Sequence, residues 1–379
     1  MEANLTILEI GGLFVGLGII TWLSHRFKIS SVPFFLVAGL SLGKGGIIPL
    51  DVSENFLNIG AEIGAIMLLL MLGLEYSARE LAESMRKRWQ AGFLDLALNA
   101  LPAALLAWFL GFGPVGAVAF GGIMFVSSSG IASQLIRESG WSKSHVSIRT
   151  TSVLVFEDIL LAPYLPLVTA LSLGLGVWAG VVSVSIALLV TFGVFWLGMG
   201  HGIPGLRNLE VRRPDMLLLL VFGVTLVASA GANLGGFSGA IAAFLVGLLL
   251  TGEVAEALRS RFAPLRDLFS AIFFLFFGLS ISALDVLAVL PIALGFAALG
   301  IAGKVVLGWW IGRDLTDKTS WMRIGAFLAP RGEFSMLIAA TVAGDSILSS
   351  AKEITLGIVV ITTLAATIGV RMLRSRFDW

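Results

Sequence analysis

The sequence predicts an all-α polytopic membrane protein with about thirteen transmembrane helices, and three observations predict it. Apolar residues fill 57% of the 379 positions and charged residues only 13%, far from the balance of a soluble domain. Apolar stretches of about 17–28 residues, long enough to cross a hydrocarbon core, recur along the chain. Lys and Arg collect on alternate connections, as they do in short cytoplasmic loops.

The first stretch, 5–23, lacks a basic leader and is long enough to span, so it reads as a retained helix rather than a cleaved signal. The second, 30–47, follows Arg26 and Lys28; the third, 56–75, ends before Arg79; the fourth, 90–110, follows Arg86, Lys87 and Arg88. Arg137 and Lys143 separate the fifth, 115–136, from the sixth, 147–172, and the seventh, 175–199, closes before Arg207, Arg212 and Arg213. The remaining spans fall at 215–233, 235–252, 264–283, 285–312, 321–344 and 354–373. Only Ala230 to Gly236 marks the boundary of the eighth and ninth, and only Ser280 to Asp285 that of the tenth and eleventh, so twelve is the alternative count.

Threading thirteen spans places twenty-one of the 25 Lys and Arg residues on one side and two, Lys44 and Lys352, on the other. Dropping or adding a span would scramble that alternation. The N-terminus is then outside and the C-terminus cytoplasmic, in the inner membrane of the cell. Only Lys304 and Arg331 remain inside spans once the residues at span ends are counted with their sides. No stretch is polar enough for a soluble domain, so residues 1–379 read as one transmembrane domain. A cytoplasmic regulatory domain or subunit beyond this chain is compatible with that reading. The chain has no cysteine, which excludes disulfides and thiolate metal sites.

Two spans are interrupted. The fifth carries Val126-Ser127-Ser128-Ser129-Gly130, and the twelfth carries Ala329-Pro330-Arg331-Gly332-Glu333. They are seven spans apart, an odd offset that reverses direction, as inverted repeats of transporters require. Repeat one then covers about 1–173, a linking helix about 174–200, and repeat two about 212–376. Pro330 and Gly332 break the helix, and Arg331 and Glu333 serve the freed helix ends rather than a substrate. The serines are either small packing residues or, with unwound carbonyls, the lining of an ion path.

The sixth span holds Glu157 and Asp158 side by side near its middle. Intramembrane acids cost roughly 2.5–3.5 kcal/mol on insertion scales, which points to cation or proton handling. Neighbours on a helix point about 100° apart, so one acid can face an aqueous cavity while the other faces a partner. Lys304, deep in the eleventh span, needs a counter-ion, and either acid can supply it. Glu62 reads as a cavity-lining or an interfacial acid, and Asp95, near the cytoplasmic end of the fourth span, as interfacial. His25, His145 and His201 all fall in cytoplasmic loops, which leaves an intramembrane hydrolase without a base at depth.

Together, Ala61-Glu62-Ile63-Gly64 through Gly73-Leu74-Glu75, the Val126 to Ile131 break, Val155-Phe156-Glu157-Asp158-Ile159 and Pro330-Arg331-Gly332-Glu333-Phe334 resemble the bacterial monovalent cation:proton antiporter-2 family. That family includes Kef-type potassium/proton and related sodium/proton antiporters, and the resemblance runs through nearly the whole chain in order. It implies the sodium/proton antiporter fold, with two crossing broken helices, a separate dimerisation domain and elevator-like alternating access in a homodimer. It also implies that Asp158 carries either cation or proton, and that Lys304 is held by the first acid of the pair. Kef-type members tend to have Gln at the position of Glu157, and several electrogenic sodium/proton members have Asp.

The expected activity is exchange of potassium or sodium for protons, without a cofactor and without a nucleic-acid partner. The expected ion- and proton-binding set is Asp158 and Glu157 with Ser127, Ser128 and Ser129, the cation sitting at Asp158. Lys304, Arg331, Glu333, Gly130, Pro330 and Gly332 are expected to pair charge and support the breaks. The alternative is a cation channel or gated potassium efflux pathway, which would build selectivity from rings of carbonyls or charges; no filter-like segment repeats here.

Overall fold

The computed structural model describes residues 2–27, 30–43, 54–75, 89–141, 144–172, 213–234, 239–250, 252–343 and 348–377, with positions 174, 185, 189 and 193. The expected seventh span and linking helix lie outside these, apart from the isolated positions, as do Lys28, Lys44, Arg79, Arg86, Lys87, Arg88, Lys143, Arg207 and Arg212 of the charge count.

The described elements are helical. They are α1 (Glu2–Phe27), α2 (Ser31–Leu42), α3 (Glu54–Glu75), α4 (Trp89–Phe109), α5 (Gly113–Phe125), α6 (Ser129–Ser139) and α7 (His145–Ser172). After the linking region come α8 (Pro214–Leu234), α9 (Gly239–Leu249), α10 (Gly252–Leu279), α11 (Ala283–Gly312), α12 (Ser320–Leu328), α13 (Glu333–Val342) and α14 (Ala351–Phe377). Among the described residues six helical stretches are long and apolar enough to cross a membrane, and three shorter apolar helices accompany them. Leu8, Val15, Ile19 and Trp22 of α1 and Leu219, Val227 and Leu234 of α8 stand exposed. Apolar faces of that kind are what a bilayer covers.

The chain forms two compact units. One holds Met1–Glu54, Arg88–Glu157 and Phe274–Trp379; the other holds Asn55–Lys87 and Asp158–Phe273. In the first, α11 packs on α12, α14 and α4, while α5 packs on α4 and α13. Glycines set these approaches. A Cβ at Gly308 of α11 would lie 2.5 Å from the Trp321 carbonyl oxygen and 2.7 Å from Gly325 N on α12. The same close crossing joins α2 to the end of α10, where a Cβ at Gly39 would lie 2.9 Å from Gly278 Cα. In the second unit α3 meets α9 likewise, with a Cβ at Gly73 lying 2.9 Å from Gly247 Cα.

Helix α10 departs from the expected tenth span. It starts at Gly252 rather than at 264, continues through Pro264 and ends at Leu279. Hydropathy reads Glu253 to Arg261 as a loop because Glu253, Glu256, Arg259 and Arg261 are charged, yet charge alone does not stop a helix. The preceding helix ends at Leu249, and α10 opens at Gly252, whose φ of 64° suits a residue without a Cβ.

Replacing Gly308 with Leu should force α11 and α12 apart and destabilise the protein by about 1–3 kcal/mol. Thermal unfolding of the purified protein in detergent, set beside Gly295→Leu at an open position, measures the difference.

Candidate functional site

The two interruptions expected from sequence are real breaks, and they lie against each other. Helix α5 stops at Phe125, Val126 is extended (φ −79°, ψ 122°), and α6 starts at Ser129. Helix α12 stops at Leu328, and α13 starts at Glu333 after Gly332, whose backbone is extended (φ −158°, ψ −137°). Each break frees backbone groups that hydrocarbon cannot satisfy. The breaks satisfy one another. Ser128 N–H donates to the Pro330 carbonyl at 2.8 Å, and Ser335 Oγ donates to the Ile123 carbonyl at 2.9 Å. A Cβ at Gly332 would meet Ser128 Cβ and Oγ at 2.6 Å, so the approach needs glycine there.

Charge completes the crossing with signs matched to helix ends. Arg331, fully buried, donates to the carbonyls of Leu328 (3.1 Å), Ala329 (3.0 Å) and Met124. It thus places a cation at the C-terminal ends of both α5 and α12, where the helix dipole is negative. Glu333 sits at the positive N-terminus of α13 and accepts from Ser128 Oγ at 3.0 Å. Ser128 also caps α6, its Oγ accepting from Ile131 N–H at 3.3 Å.

Lys304, also fully buried, is the second cation. Its three protons have three partners: the Asp95 carboxylate with both oxygens at 2.8 Å, Glu157 Oε1 at 3.0 Å, and the Phe125 carbonyl at 3.0 Å. Glu157 in turn accepts from the Ser127 backbone N–H. The Ser127 hydroxyl lies 2.8 Å from the Leu328 carbonyl and 3.2 Å from Glu157 Oε1, and has one proton to give. Glu157 therefore ties α7 to the first break and to α11.

Asp95 corrects an expectation. Rather than interfacial, it is fully buried and holds Lys304. Local backbone geometry explains this. Residues Leu96–Ala100 form a π-helical turn within α4, with Leu101 N–H donating to the Leu96 carbonyl. Such turns inside α-helices are frequent at functional sites. Asn99 within it donates to Asp95 Oδ1 at 2.7 Å, and its own Oδ1 lies 3.4 Å from Arg331 Nη2. A Cβ at Gly303 would sit 2.6 Å from Asn99 Oδ1, so glycine on α11 admits the bulged turn. The signal available in sequence was the polar pair Asp95 and Asn99, four residues apart in an apolar span.

Of the other expected residues, Pro330 and Gly332 are buried in the second break, Ser129 is half-buried and Gly130 exposed at the start of α6. Asp158 is buried and follows Glu157 along α7. Glu62, in the second unit, is exposed and accepts from Asn233 Nδ2 at 3.1 Å.

Two discontinuous helices whose breaks meet among buried charges define the architecture of a secondary transporter. The particular family follows from comparison. Residues 13–375 match the family described as sodium/hydrogen exchanger, transmembrane, and the chain belongs to that family of cation/proton antiporters. Among its relatives are the K(+)/H(+) antiporter subunit KhtU of Bacillus subtilis (strain 168), 29% identical over 88% of this chain and 85% of the relative. The ammonium/H(+) antiporter subunit AmhT of Alkalihalophilus pseudofirmus is 28% identical over 88% of this chain and 86% of the relative. The solved sodium proton antiporter MjNhaP1 of Methanocaldococcus jannaschii superimposes with a TM-score of 0.71 at 16% identity, covering 99% of this chain and 97% of that one. The protein is thus a multi-pass membrane protein with the sodium/proton antiporter fold.

Arg331→Met should strand three carbonyls and leave the buried acids under-compensated, at a cost of about 3–5 kcal/mol. The measurement is the unfolding midpoint in detergent; Arg331→Lys, a single point donor without the guanidinium fork, should recover only part of it.

Proposed function

We propose that the protein exchanges a monovalent cation, potassium or sodium, for protons at a single site by elevator-type alternating access. Asp158 binds the cation or the proton but not both. The observation that carries this reading is the commitment of Glu157 to Lys304 and the Ser127 N–H. The next residue, Asp158, is a second buried acid turned about 100° from the first along α7. Ser127, Ser128 and Ser129 contribute oxygen to the cation, since a hydroxyl that donates its proton keeps a lone pair. The names of the relatives favour potassium over sodium.

The rest of the reading follows the same lines. The chain is a single domain of inverted repeats about a linking helix. Two glycine crossings support that, because an offset of seven maps the second and tenth spans, joined at Gly39 and Gly278, onto the ninth and third, joined at Gly247 and Gly73. The protein works as a homodimer in the inner membrane, N-terminus outside and C-terminus cytoplasmic. Both bacterial relatives are named as subunits, which supports a regulatory partner chain.

In proteoliposomes carrying a pH-sensitive dye, Asp158→Asn should reduce potassium- and sodium-driven proton release to that of empty vesicles; exchange that survives this change refutes the assignment. Because the chain has no cysteine, single cysteines report topology without background. An impermeant maleimide added outside intact cells should label Ser349→Cys, and should reach Lys318→Cys only after permeabilisation; the opposite pattern would invert the orientation.

A further inference from the structure

Lys304 has two carboxylates where one would satisfy its charge, and the two hold it differently. Asp95 presents both oxygens at 2.8 Å and is itself fixed by Asn99 Nδ2 at 2.7 Å. Asp95 and Asn99 belong to neighbouring segments of α4, locked in place by the π-helical turn and by the glycine contact from Gly303. Glu157 presents one oxygen to Lys304, at 3.0 Å, and its other oxygen to the Ser127 N–H at the first break. Arg331 stands close by as the second cation and hydrogen-bonds this group through Asn99, at 3.4 Å. Asp95, Glu157, Lys304 and Arg331 therefore balance as two anions and two cations.

We propose that Asp95 is a positioning residue for exchange, the permanent counter-ion of Lys304, whereas Glu157 is the partner that lets go when a cation enters. This rests on the exchange reading given above. A cation arriving beside Glu157 draws that carboxylate toward itself. Without Asp95, the withdrawal would strand a buried ammonium, and cation binding would have to supply the cost. With Asp95 in place, Lys304 stays neutralised and stays against the Phe125 carbonyl at the end of α5. The broken helix then keeps its geometry through the cycle. The role differs from that of a mere packing acid, because it acts on cation affinity.

The test uses the full chain in proteoliposomes, driven separately by potassium and by sodium. Asp95→Asn should raise the half-saturating cation concentration at least tenfold while the maximal rate stays within threefold, and Asp95→Glu should restore it to within threefold of the parent. An Asp95→Asn protein with unaltered cation dependence, or one with a lowered maximal rate and unchanged half-saturation, overturns the proposal. If Asp95→Asn fails to fold, melting temperatures decide. Lys304→Met removes the charge that Asp95 serves, so the double variant D95N/K304M should melt higher than Asp95→Asn alone; a double variant that melts no higher overturns the pairing. Asp158→Asn, run in parallel, keeps the two readings apart. Its retention of exchange sinks the exchange site, whereas the Asp95 results bear only on how Lys304 is held.

Discussion

The structure depends on one constraint: a helix interrupted inside hydrocarbon must find partners for the backbone groups it frees, each of which costs several kcal/mol when left unpaired. Here two interrupted helices solve the problem together. The carbonyls ending α5 and α12 are met by Arg331 and Lys304, the N-terminal ends of α6 and α13 by Ser128 and Glu333, and the extended segments bond across from Ser128 to Pro330. Satisfying the backbone in this way brings charge to the middle of the membrane. The acids are then required by the cations, and the polar site follows from the breaks.

Of the five ionisable side chains buried among the described residues, the four of this network, at roughly 2.5–3.5 kcal/mol each, would be a large insertion cost if they stood alone. They do not stand alone. Lys304 and Arg331 are balanced by Asp95 and Glu157, with Asn99 bridging the two halves of the network. Replacing a buried pair with apolar residues is often neutral or stabilising, whereas removing one partner is strongly destabilising. A network of this kind resists single changes. Its geometry is enforced from outside by glycines that let α11 reach α4 and α12, as at Gly303 and Gly308. Small residues are the usual means of close helix approach in a bilayer, where no hydrophobic force separates inside from outside.

Much of this was legible in the sequence, and the parts that were not share a cause. Both breaks stood out because proline, glycine and hydroxyl residues interrupt otherwise apolar spans, and Glu157, Asp158 and Lys304 stood out because charge is rare at that depth. Depth was the only coordinate available. Asp95 lies near the end of its span in one dimension and there reads as interfacial, but its burial comes from α11 packing beside it and from a π-helical turn no residue type announces. The start of α10 was missed for the converse reason. Hydropathy measures where a helix enters hydrocarbon, and α10 begins twelve residues earlier, in a charged segment from Gly252 to Pro264. The sequence leaves the serines open between packing and polar lining, and the bonds of Ser127 to Leu328 and of Ser128 to Glu333 show a structural duty that spacing along one helix cannot reveal.

The acid pair shows how one helix can serve both stability and exchange. Glu157 is held at two points, by Lys304 from α11 and by the Ser127 N–H of the first break, so it anchors α7 to the crossing. A rotation of about 100° separates the next side chain from it. The side chain at 158 therefore leaves the helix in a different direction from Glu157. Under the proposed reading this division is what makes a single carboxylate usable. Glu157 can release Lys304 to Asp95 and still hold the Ser127 N–H, so α7 keeps one attachment to the first break while its neighbour takes a cation or a proton in turn. Adjacent placement lets one helix carry both the acid that bonds the breaks and the acid that the proposed exchange uses.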